Sequence, residues 1–417
     1  MSTTISPTLA IDTAVRARRE RGERVLHLGF GEAGLPVPPS IADVLAQAAP
    51  RNGYGPVAGS HEARDAAAGW FTRRGLPTRA EQVVFAPGSK PLLYALLAAL
   101  PGDVVLPRPA WVSYAAQAAL TGKRVIGVPV PAEAGGVPDP DHLAHALATA
   151  DNPGVLVLTV PDNPTGTVAR PGHLRAVCDL AARHGLAVIA DEIYAELVHD
   201  GGPAPRAAGH LPDRTVVTTG LSKSLALGGW RIGFARFPDG AWGDGVRADV
   251  AGVASEVWSG LAAPMQAVAA HVLADPPGIL AHIAAARRLH GTVAAAVHAE
   301  FTAAGAECRA PEAGFYLYPD LGPHREALAA RGIDGADALA GHLLDAHGVG
   351  VLPGTAFGDT HDALRVRVAT SLLYGDTTEE RHAALRADDP LSLPWLAASL
   401  GHLRTALHAL TGTSRAA

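Results

Sequence analysis

The stretch GVLVLTVPDNPTGT (154–167) decides how this chain is read. An apolar, β-branched run passes without a break into a proline-flanked polar turn, the pattern of a strand buried on both faces that ends in a loop. Working outward, the same pattern recurs. QVVF (82–85), DVVL (103–106) and RVIGVPV (124–130) lie before it, and LAVIA (186–190) and RTVVT (214–218) after it. Ala- and Leu-rich stretches of helical length separate these runs. Short apolar runs alternating with helices are βαβ units, so the fold is read as α/β, a mostly parallel sheet with helices on both faces. In such a sheet ligands bind beyond the carboxyl ends of the strands.

The residues that follow each run are polar and chemically pointed. They are APGSK (86–90), PRPAWVSY (107–114), PDNPTGT (161–167), DEIY (191–194) and TGLSKSLALGGWRIG (219–233). Gly88 and Ser89 stand at the start of the helical stretch PLLYALLAAL (91–100), where free backbone N–H groups favour a phosphate. Arg231 lies eight residues beyond Lys223 and can clamp the same phosphate with a two-pronged hydrogen bond. Asp191 ends an apolar run. A carboxylate there needs a cationic or hydrogen-bonding partner, and a protonated pyridine nitrogen is one. Tyr194, one helical turn on, and Asn163 in its turn can each donate to a phenolate oxygen. Trp111 can stack on an aromatic ring. Taken singly, each of these has an ordinary structural explanation: a turn, a helix cap, an Asx-turn, a core aromatic.

Lys223 gives the set its direction. Of 34 basic residues only Lys90, Lys123 and Lys223 are lysine. Arginine supplies the surface charge, a bias typical of a GC-rich bacterial genome. An amine set among cations and apolar walls loses proton affinity and becomes nucleophilic near neutral pH.

Together the motifs NPTG (163–166), DEIY (191–194), GLSK (220–223) and GGWRIG (228–233) resemble, in order and spacing, those of the class I/II aminotransferases of pyridoxal-phosphate (PLP) fold type I. The resemblance spans roughly residues 25 to 375. It implies that Lys223 bonds the cofactor covalently, that Asp191 keeps the pyridine nitrogen protonated, and that Asn163 and Tyr194 bind the ring's phenolic oxygen. It implies a phosphate cup of Gly88, Ser89, Lys90 (mainly through its backbone), Ser222 and Arg231, with Trp111 stacked on the ring. Tyr54, in YGPVAGSHEAR, matches the tyrosine that reaches the phosphate of a neighbouring subunit, which implies a homodimer with shared active sites. Arg365, in LRVRVATS, matches the arginine that grips the substrate α-carboxylate. It is preferred over Arg367 because Ala369, Thr370 and Ser371 follow at the family offset. Gly31 matches a glycine near the substrate, and Asn163 also faces it. Two departures are Gly31-Glu32-Ala33 where the family often has GEP, and Gly220 where many members have serine. The expected reaction moves an amino group from an L-amino acid to a 2-oxoacid in two ping-pong halves. Other PLP chemistry on amino acids (elimination, decarboxylation, cyclisation) is the alternative, and a PLP-sensing regulatory domain a more distant one. Trp258, in SEVWSGLAAP (255–264), and Tyr54 are candidates to line the side-chain pocket.

Composition narrows the rest. With 48% hydrophobic and 18% charged residues this is an ordinary globular chain, and a net charge of −6 offers no field for nucleic acid or membrane surface. Two cysteines make neither a disulfide framework nor a zinc site, so no metal and a reducing, cytoplasmic setting are expected. No apolar run approaches the ~18 residues of a membrane span. The arginine-rich N-terminus has a faint transit-peptide character but reads as an arm. The expected division is an arm over 1–44, a large PLP-binding domain over 45–290 and a smaller α+β domain over 291–417 that the arm joins. GVGVLPG (348–354) reads as a strand and turn, not a nucleotide loop. His142 and His145 read as surface residues.

Overall fold

The computed structural model describes residues 5–131 and 134–412. Among the described residues there are twelve strands: β1 (Leu26–His27), β2 (Val83–Ala86), β3 (Asp103–Arg108), β4 (Val125–Pro129), β5 (Pro153–Thr159), β6 (Ala187–Asp191), β7 (Thr215–Gly220), β8 (Gly233–Arg236), β9 (Tyr316–Leu317), β10 (Val349–Gly350), β11 (Leu352–Pro353) and β12 (Val366–Ala369).

Seven of them form one sheet in the order β2-β8-β7-β6-β5-β3-β4. Strands β3 to β7 run parallel to their neighbours within that group, and only β8 is antiparallel to both strands beside it. All six apolar runs read from the sequence are strands of this sheet. β8 follows the motif GGWRIG and escaped notice, because its four residues GFAR carry neither alternation nor β-branching.

Successive side chains of a strand point to opposite faces. Leu156, Val188 and Val217 enter one buried cluster, while Val155, Val157, Ile189 and Val216 enter another. The first cluster is covered by helices His61–Arg73, Pro171–Arg183 and Ala263–Leu273, the second by Ser89–Ala99, Val112–Leu120 and Ala241–Val257. Both faces are dry, which is why these strands read as continuous apolar runs. Each fully buried Val, Leu or Ile contributes about 1.5–3 kcal/mol over exposure.

A third cluster gathers Leu26 and Leu28 from the N-terminal segment with Val297, Phe301, Val349, Val366, Val368 and Leu403. Helix Pro277–Ala303 joins the cores: its Ile279 and Ile283 belong to the first cluster, and Leu289, Val293 and Val297 to the third. The N-terminal segment is fastened here by β1, which pairs in parallel with β10. The GVGVLPG stretch divides into β10, on β1, and β11, on β12. Among the described residues no single helix is long and apolar enough to cross a membrane; the bent pair Ala263–Leu273 and Pro277–Ala303 passes only jointly, across an 84° break. No cluster of three or more His, Cys, Asp or Glu residues suited to a metal is found among the described residues.

Candidate active site

A cavity of about 590 Å³ opens where β5, β6 and β7 end, between the large sheet and the N-terminal segment. Its volume falls within the range of small-molecule sites. It lies beside the reversal of strand order at β5 and β3, where an open α/β sheet leaves a crevice.

One end of the cavity is cationic. Helix Ser89–Ala99 starts there, and Gly88 before it takes a φ of 96°. That angle favours glycine, and a β-carbon at Gly88 would also collide with the Arg231 guanidinium. A β-carbon at Gly233 would strike the backbone of Gly88 and Ser89, so β8 presses directly on this turn. Arg231 is itself left-handed, at φ 56°, and its Nη1 donates to the Gly228 carbonyl at 2.9 Å. Among the described residues no carboxylate pairs with Arg231. Ser89, Lys90, Ser222 and Arg231 all line this end. The Lys90 side chain turns into the cavity, its Nζ 5.1 Å from the centre of the Trp111 ring, and burial lowers its proton affinity.

The floor carries a buried carboxylate. Asp191 closes β6 beside Thr159 of β5 and is 3% exposed. The Tyr114 hydroxyl donates to its Oδ2 at 2.8 Å and shares a 2.7 Å contact with the Thr159 hydroxyl. Burial pushes the Asp191 pKa up to about 6, against the opposing pull of the Tyr114 hydrogen bond. Opposite it, Lys223 Nζ donates to the Gly31 carbonyl. Burial, then the neighbouring Arg367 and Arg231, push the Lys223 pKa down to about 8, with Glu32 and Asp191 opposing. The amine is thus a far better base near neutrality than an exposed lysine.

One wall is a row of polar groups. Asn163 Nδ2 donates to the Tyr194 hydroxyl at 3.4 Å, and that hydroxyl lies 2.9 Å from the hydroxyl of Tyr316. Asn163 Oδ1 is buried without a partner. Trp111 also lines the cavity, edge-on to Tyr114 at 5.2 Å.

The two arginines of LRVRVATS part company. Arg367 is 1% exposed, lines the cavity and donates from Nη2 to the Gly29 carbonyl. Its guanidinium lies 4.9 Å from the Tyr316 ring and 5.3 Å from Phe357. It meets no carboxylate among the described residues, and its Nε has no partner. Arg365, preferred from the sequence, is elsewhere. It borders a second cavity of about 350 Å³ with Thr165, Cys308 and Tyr318, and it bonds Asp320 at 2.8 Å and Asp359 at 3.4 Å. The expectation for Arg365 is therefore corrected. Both side chains leave the same side of the chain, but two residues shift a side chain by about 6.5 Å. Arg365 precedes the strand proper and is already neutralised, so Arg367 is the arginine at this site.

Gly31 lines the cavity, and a β-carbon there would collide with the Tyr316 hydroxyl. Tyr54 is 99% exposed and does not line the cavity of its own chain. Nor does Trp258, which packs beside the cluster holding Val246 and Val250. The sequence offered Arg367 only as second to Arg365, and it gave no role to Tyr114 or Tyr316. Tyr114 had a usable signal, since it lies one helical turn after Trp111.

Comparison with known proteins agrees with this geometry. Residues 23–373 match the family described as aminotransferase class I and II. The chain belongs to the class I and II aminotransferases. An aspartate aminotransferase of Geobacillus stearothermophilus is 32% identical over 91% of this chain and 96% of that protein. A probable aspartate/prephenate aminotransferase of Thermus aquaticus is 31% identical over 84% of this chain and 89% of that protein. The structure of Thermus thermophilus aspartate aminotransferase with maleate superposes with a TM-score of 0.82 at 28% identity, covering 97% of each chain. As a member of this family the chain is a PLP-dependent aminotransferase that moves an amino group from an amino acid to a 2-oxoacid. The cavity suits that cofactor. It offers a cationic helix N-terminus for a phosphate, a buried carboxylate lacking a cation, and an orphaned amide oxygen at Asn163.

Proposed function

We propose that in this aminotransferase Lys223 bonds the cofactor and moves the substrate proton, with Asp191 and Arg367 fixing the two ends of the reacting assembly. The observation that carries this reading is the meeting of a depressed lysine, a raised aspartate and an unpaired buried arginine in one cavity. Perturbed groups of opposite kind facing one another mark an acid–base site.

Ser89, Ser222, Arg231 and the backbone at Gly88 and Lys90 would hold the phosphate, and Trp111 would cover one ring face. Asp191 would receive the protonated ring nitrogen, which supplies the cation its buried carboxylate lacks. Asn163 and Tyr194 would donate to the phenolic oxygen. Bound there, the pyridoxal ring supplies an electron sink for the charge left at the substrate Cα. Arg367 would grip the α-carboxylate by a two-pronged hydrogen bond and so set which Cα bond faces Lys223. Lys223 Nζ, neutral in part near pH 8, would take the Cα proton and return it on the far side of the transferred nitrogen.

The side chain of the donor would meet Lys90, which turns into the cavity and forms no ion pair among the described residues, whereas Arg16 of helix Pro7–Glu20 also lines the cavity but is paired with Asp12 at 2.9 Å. Lys90 favours a donor with a second carboxylate, in keeping with the aspartate named for the relatives. The reading extends to a homodimer, in which the fully exposed Tyr54 would complete a partner's phosphate cup. It extends to the division 1–44, 45–290 and 291–417. It also extends to a cytoplasmic setting, supported by the free thiols Cys178 and Cys308.

The test is a half-reaction. The PLP-loaded protein mixed with aspartate alone should lose its cofactor absorbance band within one turnover, and 2-oxoglutarate should restore it. Continuous release of ammonia or pyruvate with no such cycle would contradict the assignment.

A further inference from the structure

Tyr316 stands between the two ends of the site. Its hydroxyl is 2.9 Å from that of Tyr194, and its ring lies 4.9 Å from the Arg367 guanidinium. The ring is 1% exposed and packs edge-on to Tyr194 at 5.4 Å. The hydroxyl fills the space that a β-carbon on Gly31 would need.

Two hydroxyls in one contact have two protons and need only one between them. Tyr194 already accepts from Asn163 Nδ2. When Tyr316 also donates to the Tyr194 oxygen, the Tyr194 proton is left free to point into the cavity. Hydrogen bonds in a buried row polarise one another, so each added donor behind Tyr194 makes Tyr194 a stronger donor in front. Burial raises the pKa of both phenols, so both keep their protons through neutral pH. On its other side the Tyr316 ring provides an electron-rich face that steers a guanidinium deprived of water.

We propose that Tyr316 is a positioning residue, whose hydroxyl aims the Tyr194 proton at the cofactor's phenolic oxygen and whose ring seats Arg367 for the substrate carboxylate. This rests on the reading that PLP occupies the cavity. The charged groups facing the pair are Asp191 from β6, Lys223 after β7, Arg231 before β8, Arg367 on β12 and Glu32 from the N-terminal segment, with His290 behind Phe315. A Tyr316→Phe change alters none of them and removes only the hydroxyl.

The experiment uses PLP-loaded protein and two readouts. The first is the pH midpoint of the bound cofactor's absorbance change. A hydrogen bond donated to the phenolic oxygen stabilises the deprotonated form, so weakening it raises the midpoint. Tyr316→Phe should raise it by about half a unit, the worth of a modest hydrogen-bond loss. Tyr194→Phe should raise it more, and the double variant should match Tyr194→Phe alone because Tyr316 acts through Tyr194. The second readout is the dissociation constant for maleate, a carboxylate with no amino group to react, at a pH below all midpoints. Tyr316→Phe keeps the ring and should bind maleate within about twofold of wild type, whereas Tyr316→Leu should bind about fivefold more weakly. An unmoved midpoint in Tyr316→Phe, an additive double variant, or unchanged maleate affinity in Tyr316→Leu would each overturn the proposal. Failure of the wild-type protein to take up PLP would instead overturn the functional reading beneath it.

Discussion

Two cavities flank the turn PDNPTGT, and one stretch of chain, LRVRVATS, sends an arginine to each. In the smaller cavity Arg365 meets two carboxylates, Asp320 and Asp359, and its charge is answered by the protein itself. In the larger, Arg367, Arg231 and Lys90 meet no carboxylate among the described residues, and there Asp191 receives a phenol and a backbone N–H but forms no ion pair. Burying charge without a partner is costly. Where a fold holds several such groups in one cavity, a ligand of complementary charge is the natural partner. The paired arginine is structure, and the unpaired one is a binding group.

The two arginines should respond to the same substitution in opposite ways. Arg367→Met should lower kcat/KM about a hundredfold or more, the value of a charge-assisted two-pronged hydrogen bond lost from a desolvated site. Arg365→Met should change kcat/KM by no more than about threefold. Its cost should appear instead as about 0.5–1 kcal/mol of stability, since the side chain is 42% exposed and its pairs are screened by solvent. Steady-state kinetics beside urea unfolding would separate the two, and the reverse pattern would restore Arg365 as the carboxylate-binding residue.

A smaller effect sharpens the same contrast from the side of stability. The folded pKa of Lys223, about 8, lies below its unfolded value, so the folded state binds fewer protons between about 8 and 10.5. Below pH 8 the charged amine therefore destabilises the cofactor-free protein, and that cost fades as pH rises toward 10.5. Lys223→Met should stabilise the cofactor-free protein by about 1–3 kcal/mol at pH 7, with the gain shrinking above pH 8. Chemical unfolding at several pH values checks it. A variant less stable than wild type at pH 7 would mean that the amine is better accommodated than its burial implies.

Much of this architecture was legible from short-range pattern. A strand buried on both faces has to be apolar at every position, so β5, β6 and β7 announced themselves, and the residues at their ends followed. What stayed hidden depended on tertiary placement. β8 is held by pairing with β2 and β7 rather than by its own propensity. β9 and β10 are two residues each, too short to show a period. Arg365 and Arg367 share a face, and only the position of Asp320 and Asp359, brought in by other segments, distinguishes them. Tyr316 sits in an aromatic run that reads as core, and its function arises from Tyr194, 122 residues away. Offset from a motif could not separate these cases, whereas the presence or absence of a counter-charge could.

The chain has three lysines, Lys90, Lys123 and Lys223, and that makes the decisive measurement a clean one. Borohydride reduction of the PLP-loaded protein, followed by peptide mapping, fixes the cofactor to whichever lysine carries it. A pyridoxyl group is expected on Lys223 and on neither of the others. A label on Lys90 or Lys123, or no label at all, would contradict it.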